Sequence, residues 1–220
     1  MPPRRPSMLL PTCLTRAAVL GALAMLTTSC VTGERPTLQA LPRVDDEAAA
    51  IVLDRLDRAR GVDFTATYDI FPTTTGDRIE AVVRQQDGRW RATIGDVDYA
   101  SDGRESVTCD LETGLCEDFT NDARISDLNV TSRFWADGFA TRLAIDAARR
   151  VGFSRGHTET IANRSAACAD VPLLGGEVVY CALDEGVLAR YFGADVSIEL
   201  TSFTRAVDPQ LLSTDADPDV

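Results

Sequence analysis

The stretch Gly152-Phe153-Ser154-Arg155-Gly156 has the G-x-S-x-G spacing of a serine nucleophile, and the chain's single histidine, His157, follows it directly. That motif works when a strand feeds a sharp turn into a helix, leaving the serine exposed at the helix head. Here a helical pattern precedes the motif and an alternating pattern follows it, so the order is reversed. His157 sits too close in sequence to swing onto the Ser154 hydroxyl in that geometry, and the two glycines already serve as a helix stop. The acidic run from Asp96 to Gly103 resembles a calcium loop only at first sight. Counted from Asp96, the fifth, sixth and twelfth positions are Ala100, Ser101 and Val107, where a loop of that type wants oxygen, glycine and glutamate. One histidine leaves little for zinc or copper. All 22 basic residues are arginine, which excludes lysine Schiff-base chemistry. No catalytic residue, no metal and no cofactor is expected, and the chain is read as a non-enzyme.

Cysteine is the residue type with work to do. Of six, Cys13 lies in an N-terminal leader, and Cys30, Cys109, Cys116, Cys168 and Cys181 remain. Four cysteines can pair in three ways once Cys30 is set aside, and the local pairings are the expected ones. Cys109 and Cys116 bracket a tight turn around Glu112-Thr113-Gly114, and Cys168 and Cys181 flank Val171–Glu177. A four-cysteine metal site would use close C-x-x-C spacing, which is missing.

The leader explains Cys30. Arg4, Arg5 and Arg16 precede ten apolar or small residues, Ala17 to Leu26, followed by Thr27-Thr28-Ser29. That is the layout of a secretory signal peptide, and it stops short of the roughly 20 apolar residues a membrane span needs. With Ser29 before Cys30, the region resembles a bacterial lipoprotein signal, although Thr27 stands where that family prefers Leu. The resemblance implies cleavage after residue 29 and acylation of Cys30, anchoring the protein to the outer face of the bacterial cytoplasmic membrane. Losing three arginines moves the formal charge from −12 to −15 and leaves 191 residues, enough for one core. Such an acidic chain repels polyanions, so no nucleic-acid partner is expected.

The rest of the chain must position whatever surface acts. Residues 30–43 read as the acylated cysteine and a flexible tether, and residues 206–220 as an acidic, disordered tail. Residues 44–205 form one domain. Asp45 or Asp46 caps a helix carrying Ala49, Val52, Leu53 and Leu56 on one stripe, with Gly61 as its stop. Phe64, Ala66, Tyr68 and Ile70 alternate strictly with Thr65, Thr67 and Asp69, as in a half-buried strand. Further strands follow around "QDG" and other turns. A second amphipathic helix carries Trp135, Phe139 and Leu143 and ends near Gly152, and four more strands complete the domain. The pattern is helix, about five strands, helix, about four strands: an α+β domain with an antiparallel sheet of about nine strands and two helices on one face.

The phrase "NRSAAC…VVYCALDEGVLARYFGADVSIELTSF" and the order of elements are similar to small secreted actinobacterial lipoproteins with a LolA-like, lipoprotein-carrier-like fold. That resemblance implies a curved, incomplete barrel whose apolar concave face, lidded by helices, accepts acyl chains. Val178, Tyr180 and Ala182 against Val179, Cys181 and Leu183 give an apolar strand on both faces, which fits a sheet lining a pocket. Trp135, Phe139, Leu143, Tyr68 and Tyr180 are the expected ligand contacts. The expected function is a lipid-anchored envelope protein that binds or carries a lipid or other hydrophobic molecule. The alternative is an envelope sensor or protein-interaction module with a filled core.

Overall fold

The computed structural model describes residues 44–212; the expected signal peptide, Cys30, the tether to residue 43 and residues 213–220 lie outside the described residues. Eleven strands form one antiparallel sheet: β1 Phe64–Pro72, β2 Ile79–Gln86, β3 Arg89–Ile94, β4 Val97–Ser101, β5 Ser106–Asp110, β6 Cys116–Glu117, β7 Arg155–Ile161, β8 Arg164–Leu173, β9 Gly176–Leu183, β10 Leu188–Phe192 and β11 Val196–Thr204. Their spatial order is β6-β5-β4-β3-β2-β1-β11-β10-β9-β8-β7. Two meanders therefore run outward from a central β1–β11 seam, and the sheet stays open at β6 and β7. The sheet exceeds the expected nine strands because two expected strands are hairpins. One divides at Asp102-Gly103. The other divides at Ala162-Asn163, where both residues take positive φ (48° and 60°) in a two-residue connection.

Pairing registers define the two faces. Gly156, Ala169, Tyr180, Tyr191, Ile198, Ile70 and Ile79 stand opposite one another across seven strands, from β7 to β2. One residue along, His157, Cys168, Cys181, Arg190, Glu199, Asp69 and Glu80 make the matching row on the other face. The first row is apolar and aromatic; the second is charged around a disulfide. Alternation along each strand dictates this separation. At the seam Thr201 is an extra residue in β11, a bulge whose hydroxyl donates to the Thr67 carbonyl at 3.0 Å.

Both helices cover the apolar face. Helix α1, Glu47–Leu56, is capped by Asp46, whose side chain accepts from the Ala49 N–H, and it buries Ala49, Val52 and Leu56. It ends at Leu56 rather than running to Gly61, which instead closes a separate 3-10 turn, Ala59–Gly61. Its C-terminal end is held by Arg55, which donates to the Ala182 carbonyl at 2.9 Å and pairs with Asp184 at 2.7 Å. The β9–β10 turn approaches so closely there that a Cβ on Gly186 would lie 2.5 Å from the Arg55 carbonyl oxygen. Helix α2, Phe139–Arg149, buries Phe139, Leu143, Ala144 and Ala147. The expected second helix opens instead with a π-helical turn, Phe134–Gly138, and stops at Arg149, before Gly152. A 3-10 segment, Asp122–Leu128, precedes it. The expected tail begins with an ordered 3-10 turn, Pro209–Leu212, that buries Leu212.

Both expected disulfides are formed, Cys109–Cys116 and Cys168–Cys181, each joining residues directly opposite on neighbouring strands with Cα atoms 4.1 and 4.0 Å apart. Among the described residues, no helix is long and apolar enough to cross a membrane.

Candidate functional site

All five expected ligand residues are buried, the aromatic ones divided between two clusters. Trp135, Tyr68, Leu143 and Tyr180 have no exposed surface, and Phe139 has 3%. Trp135 stands edge-on to Trp90 (5.4 Å between centroids) and to Phe134 (5.8 Å), and Phe134 in turn meets Tyr68 at 5.0 Å. On the other side Phe139, Tyr180 and Tyr191 form a second group, with 4.6 Å between Phe139 and Tyr191 and 4.9 Å between the tyrosines. Such offset and edge-to-face pairs are the favoured packing of aromatic rings.

Polar atoms fix helix α2 onto this cluster. Arg142, one turn after Phe139, places its guanidinium over the Tyr191 ring at 4.6 Å and donates to both Asp195 oxygens at 2.7 Å. Burial works against its charge, but Asp195 and the tyrosine oxygens outweigh it and hold the guanidinium pKa above its ordinary value. Tyr180 donates to Asp146, and burial together with that carboxylate pushes the phenol far above its usual range. Sequence reasoning missed these clamps; the spacing Phe139, Arg142, Asp146 on one helix face was their only trace. Among the described residues, the buried Tyr68 hydroxyl and Trp135 Nε1 in the core have no hydrogen-bond partner.

The G-x-S-x-G segment lies in the connection from α2 to β7. Ser154 donates its N–H to Asp46 Oδ2 at 3.0 Å, while its hydroxyl is buried with no hydrogen-bond partner. His157 is turned to the charged face, with Nε2 3.1 Å from Glu159 and Nδ1 3.7 Å from Asp170. The histidine and the serine hydroxyl are thus not joined. A ladder of ion pairs surrounds His157: Arg155 with Asp170 at 2.6 Å, Arg190 with Glu159, and Arg190 with Glu199 at 3.0 Å. The His157 hydrogen bond is the leading reason that the Glu159 carboxyl lies below its ordinary range, with Arg190 adding to it. His157, Glu159 and Cys168 converge within 4.8 Å. Cys168 sulfur is committed to the disulfide and Glu159 to its cationic partners, so this cluster is not a free set of metal ligands.

Asp46 is the residue on which three segments meet. It caps α1 through Ala49 N–H at 3.0 Å, holds the Ser154 N–H, and pairs with Arg150 at 3.2 Å. Burial opposes its ionisation, but the two backbone donors and Arg150 together keep its carboxyl below the ordinary 3.8. Asp46→Ala is expected to cost about 2 kcal/mol, a lost cap plus buried donors left unpaired, measured by urea unfolding. Because the folded carboxyl titrates below the unfolded one, its contribution is full above the unfolded-chain value and is lost as pH falls through the folded value. The wild-type advantage over Asp46→Ala should therefore shrink below about pH 4.

Between α1 and β7 runs a groove of about 770 Å³, lined by Asp45, Glu47, Ala48 and Ile51 from the helix side and by Phe153, Ser154, Gly156 and Thr158 from the strand side. Helix and strand touch at its floor, where a Cβ on Gly156 would lie 3.3 Å from that of Ala48. Phe153 is 94% exposed and Ile51 48%. Neither was among the expected site residues, since no pattern in the sequence marks an apolar residue left outside.

No protein-family model and no curated protein matches the chain. Solved structures similar to it include MucB (TM-score 0.47, 15% identity, 77% of this chain and 63% of that one). Two complexes also match: MucB with MucA(peri) (0.45, 16%, 76% and 59%) and Pseudomonas aeruginosa MucA/MucB (0.45, 16%, 76% and 61%). The chain spans less than two thirds of the length of each of those chains.

Proposed function

We propose that this protein is an exported, membrane-attached, non-enzymatic domain that recognises another protein through its surface. The packed aromatic interior carries this reading. Trp135, Tyr68, Leu143 and Tyr180, the side chains expected to line an acyl-chain pocket, are instead buried with no exposed surface, the aromatic ones packed against other rings. Two disulfides fit an oxidising compartment outside the cytoplasm. Attachment would come from acylated Cys30, followed by the tether to residue 43. Unjoined Ser154 and His157 support the absence of hydrolase chemistry at the one motif that suggested it.

A second reading, binding of a hydrophobic molecule, draws on the Tyr68 hydroxyl and Trp135 Nε1. A ligand oxygen would give these buried atoms the partner they lack. The π-helical turn Phe134–Gly138 beside them is a type of local irregularity frequent at functional sites. Native mass spectrometry of the chain purified from membranes and exposed to phospholipid and fatty acid separates the two. The interaction reading expects covalent acyl mass on Cys30 and no noncovalent lipid. A stoichiometric bound lipid would overturn it in favour of the carrier.

A further inference from the structure

The two ends of the sheet differ. Strand β6 is only two residues long, whereas β7 is a seven-residue end strand, paired with β8 without a register shift and containing no proline. Natural sheets blunt such an edge with short strands, bulges, proline or free charges. On β7 the charges are consumed: Arg155 is tied to Asp170 and Glu159 to Arg190, back toward the sheet interior.

The disulfide shows which backbone groups face outward. Directly opposite antiparallel residues with Cα atoms near 4.5 Å are pairs that exchange no hydrogen bonds with each other. Cys168 and Cys181, 4.0 Å apart, are such a pair, so the Cys168 N–H and C=O are directed to β7 and engage His157. Gly156, Thr158 and Thr160 then turn their N–H and C=O groups away from β8, and all three are exposed. Three donors and three acceptors thus line the open edge, unpaired with any other strand among the described residues.

This edge forms one wall of the α1–β7 groove, and the chemistry of the other wall is selective. Ala48 and Ile51 offer apolar contact, and exposed Phe153 stands at one end. Of the acids in the lining, Asp45 is paired with Arg150 at 3.0 Å and Asp46 is held by Arg150 and two backbone donors, which leaves Glu47, in the first turn of α1, without an ion pair among the described residues; Arg55 is paired with Asp184. The Ser154 hydroxyl, buried and without a partner, lies in the same lining.

We propose that the α1–β7 groove is a strand-addition site for an extended segment of a partner protein whose α1-facing side chains, every second residue, are apolar and end in an Arg or Lys. The segment pairs with Gly156, Thr158 and Thr160, sets its α1-facing apolar side chains against Ile51 and Ala48, and brings its α1-facing cation to Glu47. Backbone pairing gives affinity and the flanking side chains give selectivity, as in other strand-addition interfaces. The proposal rests on the protein-recognition reading above and specifies its partner's chemistry.

The test uses the full chain and the synthetic seven-residue peptide Arg-Thr-Val-Thr-Val-Thr-Arg, which presents Val and Arg on one face in either direction, with fluorescence anisotropy and amide hydrogen exchange as readouts. Binding should slow exchange at Gly156, Thr158 and Thr160. Thr158→Pro removes one outward donor while sparing the β7–β8 ladder, and should weaken binding about tenfold without changing the circular dichroism spectrum. Glu47→Arg should weaken it about threefold. Should Thr158→Pro fold poorly, a peptide N-methylated at alternate residues gives the same information from the other side. The proposal is overturned by no binding at millimolar peptide, by equal binding of the same peptide with both Arg replaced by Glu, or by insensitivity to both Thr158→Pro and N-methylation. Such a result with a lipid-free chain sinks this site alone, whereas stoichiometric lipid in native mass spectrometry sinks the recognition reading itself.

Discussion

Trp135→Ala is expected to lower the unfolding free energy by about 3–5 kcal/mol, read as a fall in the urea midpoint at unchanged slope. Trp135 has no exposed surface and its ring is met edge-on by Trp90 and Phe134. Truncation deletes both aromatic contacts and opens a cavity in a close-packed interior that relaxes only partly. Against a typical domain stability of about 5–15 kcal/mol, this is a large fraction. The same substitution would act differently in a carrier. Where Trp135 lined a ligand space, alanine would enlarge an existing cavity, change ligand capacity and cost far less stability. A loss below about 1 kcal/mol would therefore count against the filled-core account.

Cys168→Ala with Cys181→Ala should cost about 3 kcal/mol, and Cys109→Ala with Cys116→Ala about 2.5 kcal/mol, if loop entropy of the unfolded chain were the whole effect. The surroundings widen the gap. Cys168 and Cys181 are buried beneath the charged ladder on the outer face of β8 and β9, while Cys116 is exposed at a two-residue edge strand. Losing the buried bridge also loosens the β8–β9 register that presents His157, Asp170 and Arg190 to one another. Thermal unfolding of the two double variants should rank them in that order. A gap no wider than the roughly 0.5 kcal/mol that loop length alone gives would show that both bridges act on the unfolded chain alone.

The sequence made the elements legible where periodicity was strong and silent where burial or backbone conformation decided. Strict alternation from Phe64 to Ile70 is the alternating burial seen along β1. Asp46 reads as a cap before the apolar stripe of α1, and the local cysteine pairs follow from the turns they bracket. The connection at Ala162-Asn163 was hidden because alanine rarely takes positive φ, so no Asn-Gly or Asp-Gly signal marked it. The π-helical turn was hidden because Trp135, Phe139 and Leu143 keep a four-residue spacing that a continuous helix would also give.

The candidate site was less legible than the fold. An aromatic stripe at helical spacing has the same appearance whether it lines a cavity or fills one, and only the centroid distances among Trp90, Phe134 and Trp135 separate the two. The α1–β7 groove left no pattern, because it arises from where the sheet ends. Gly156, read from sequence as part of a helix stop, instead allows α1 to rest against the edge strand at Ala48.

The most direct test of the filled core is a crystal structure of the chain grown with a saturating long-chain phospholipid. The account predicts Tyr68, Phe134, Trp135 and Tyr180 in the contacts described above, with no acyl density among them. Acyl density between the Phe134–Gly138 turn and β1, with the Trp135 ring displaced from Trp90, would contradict it.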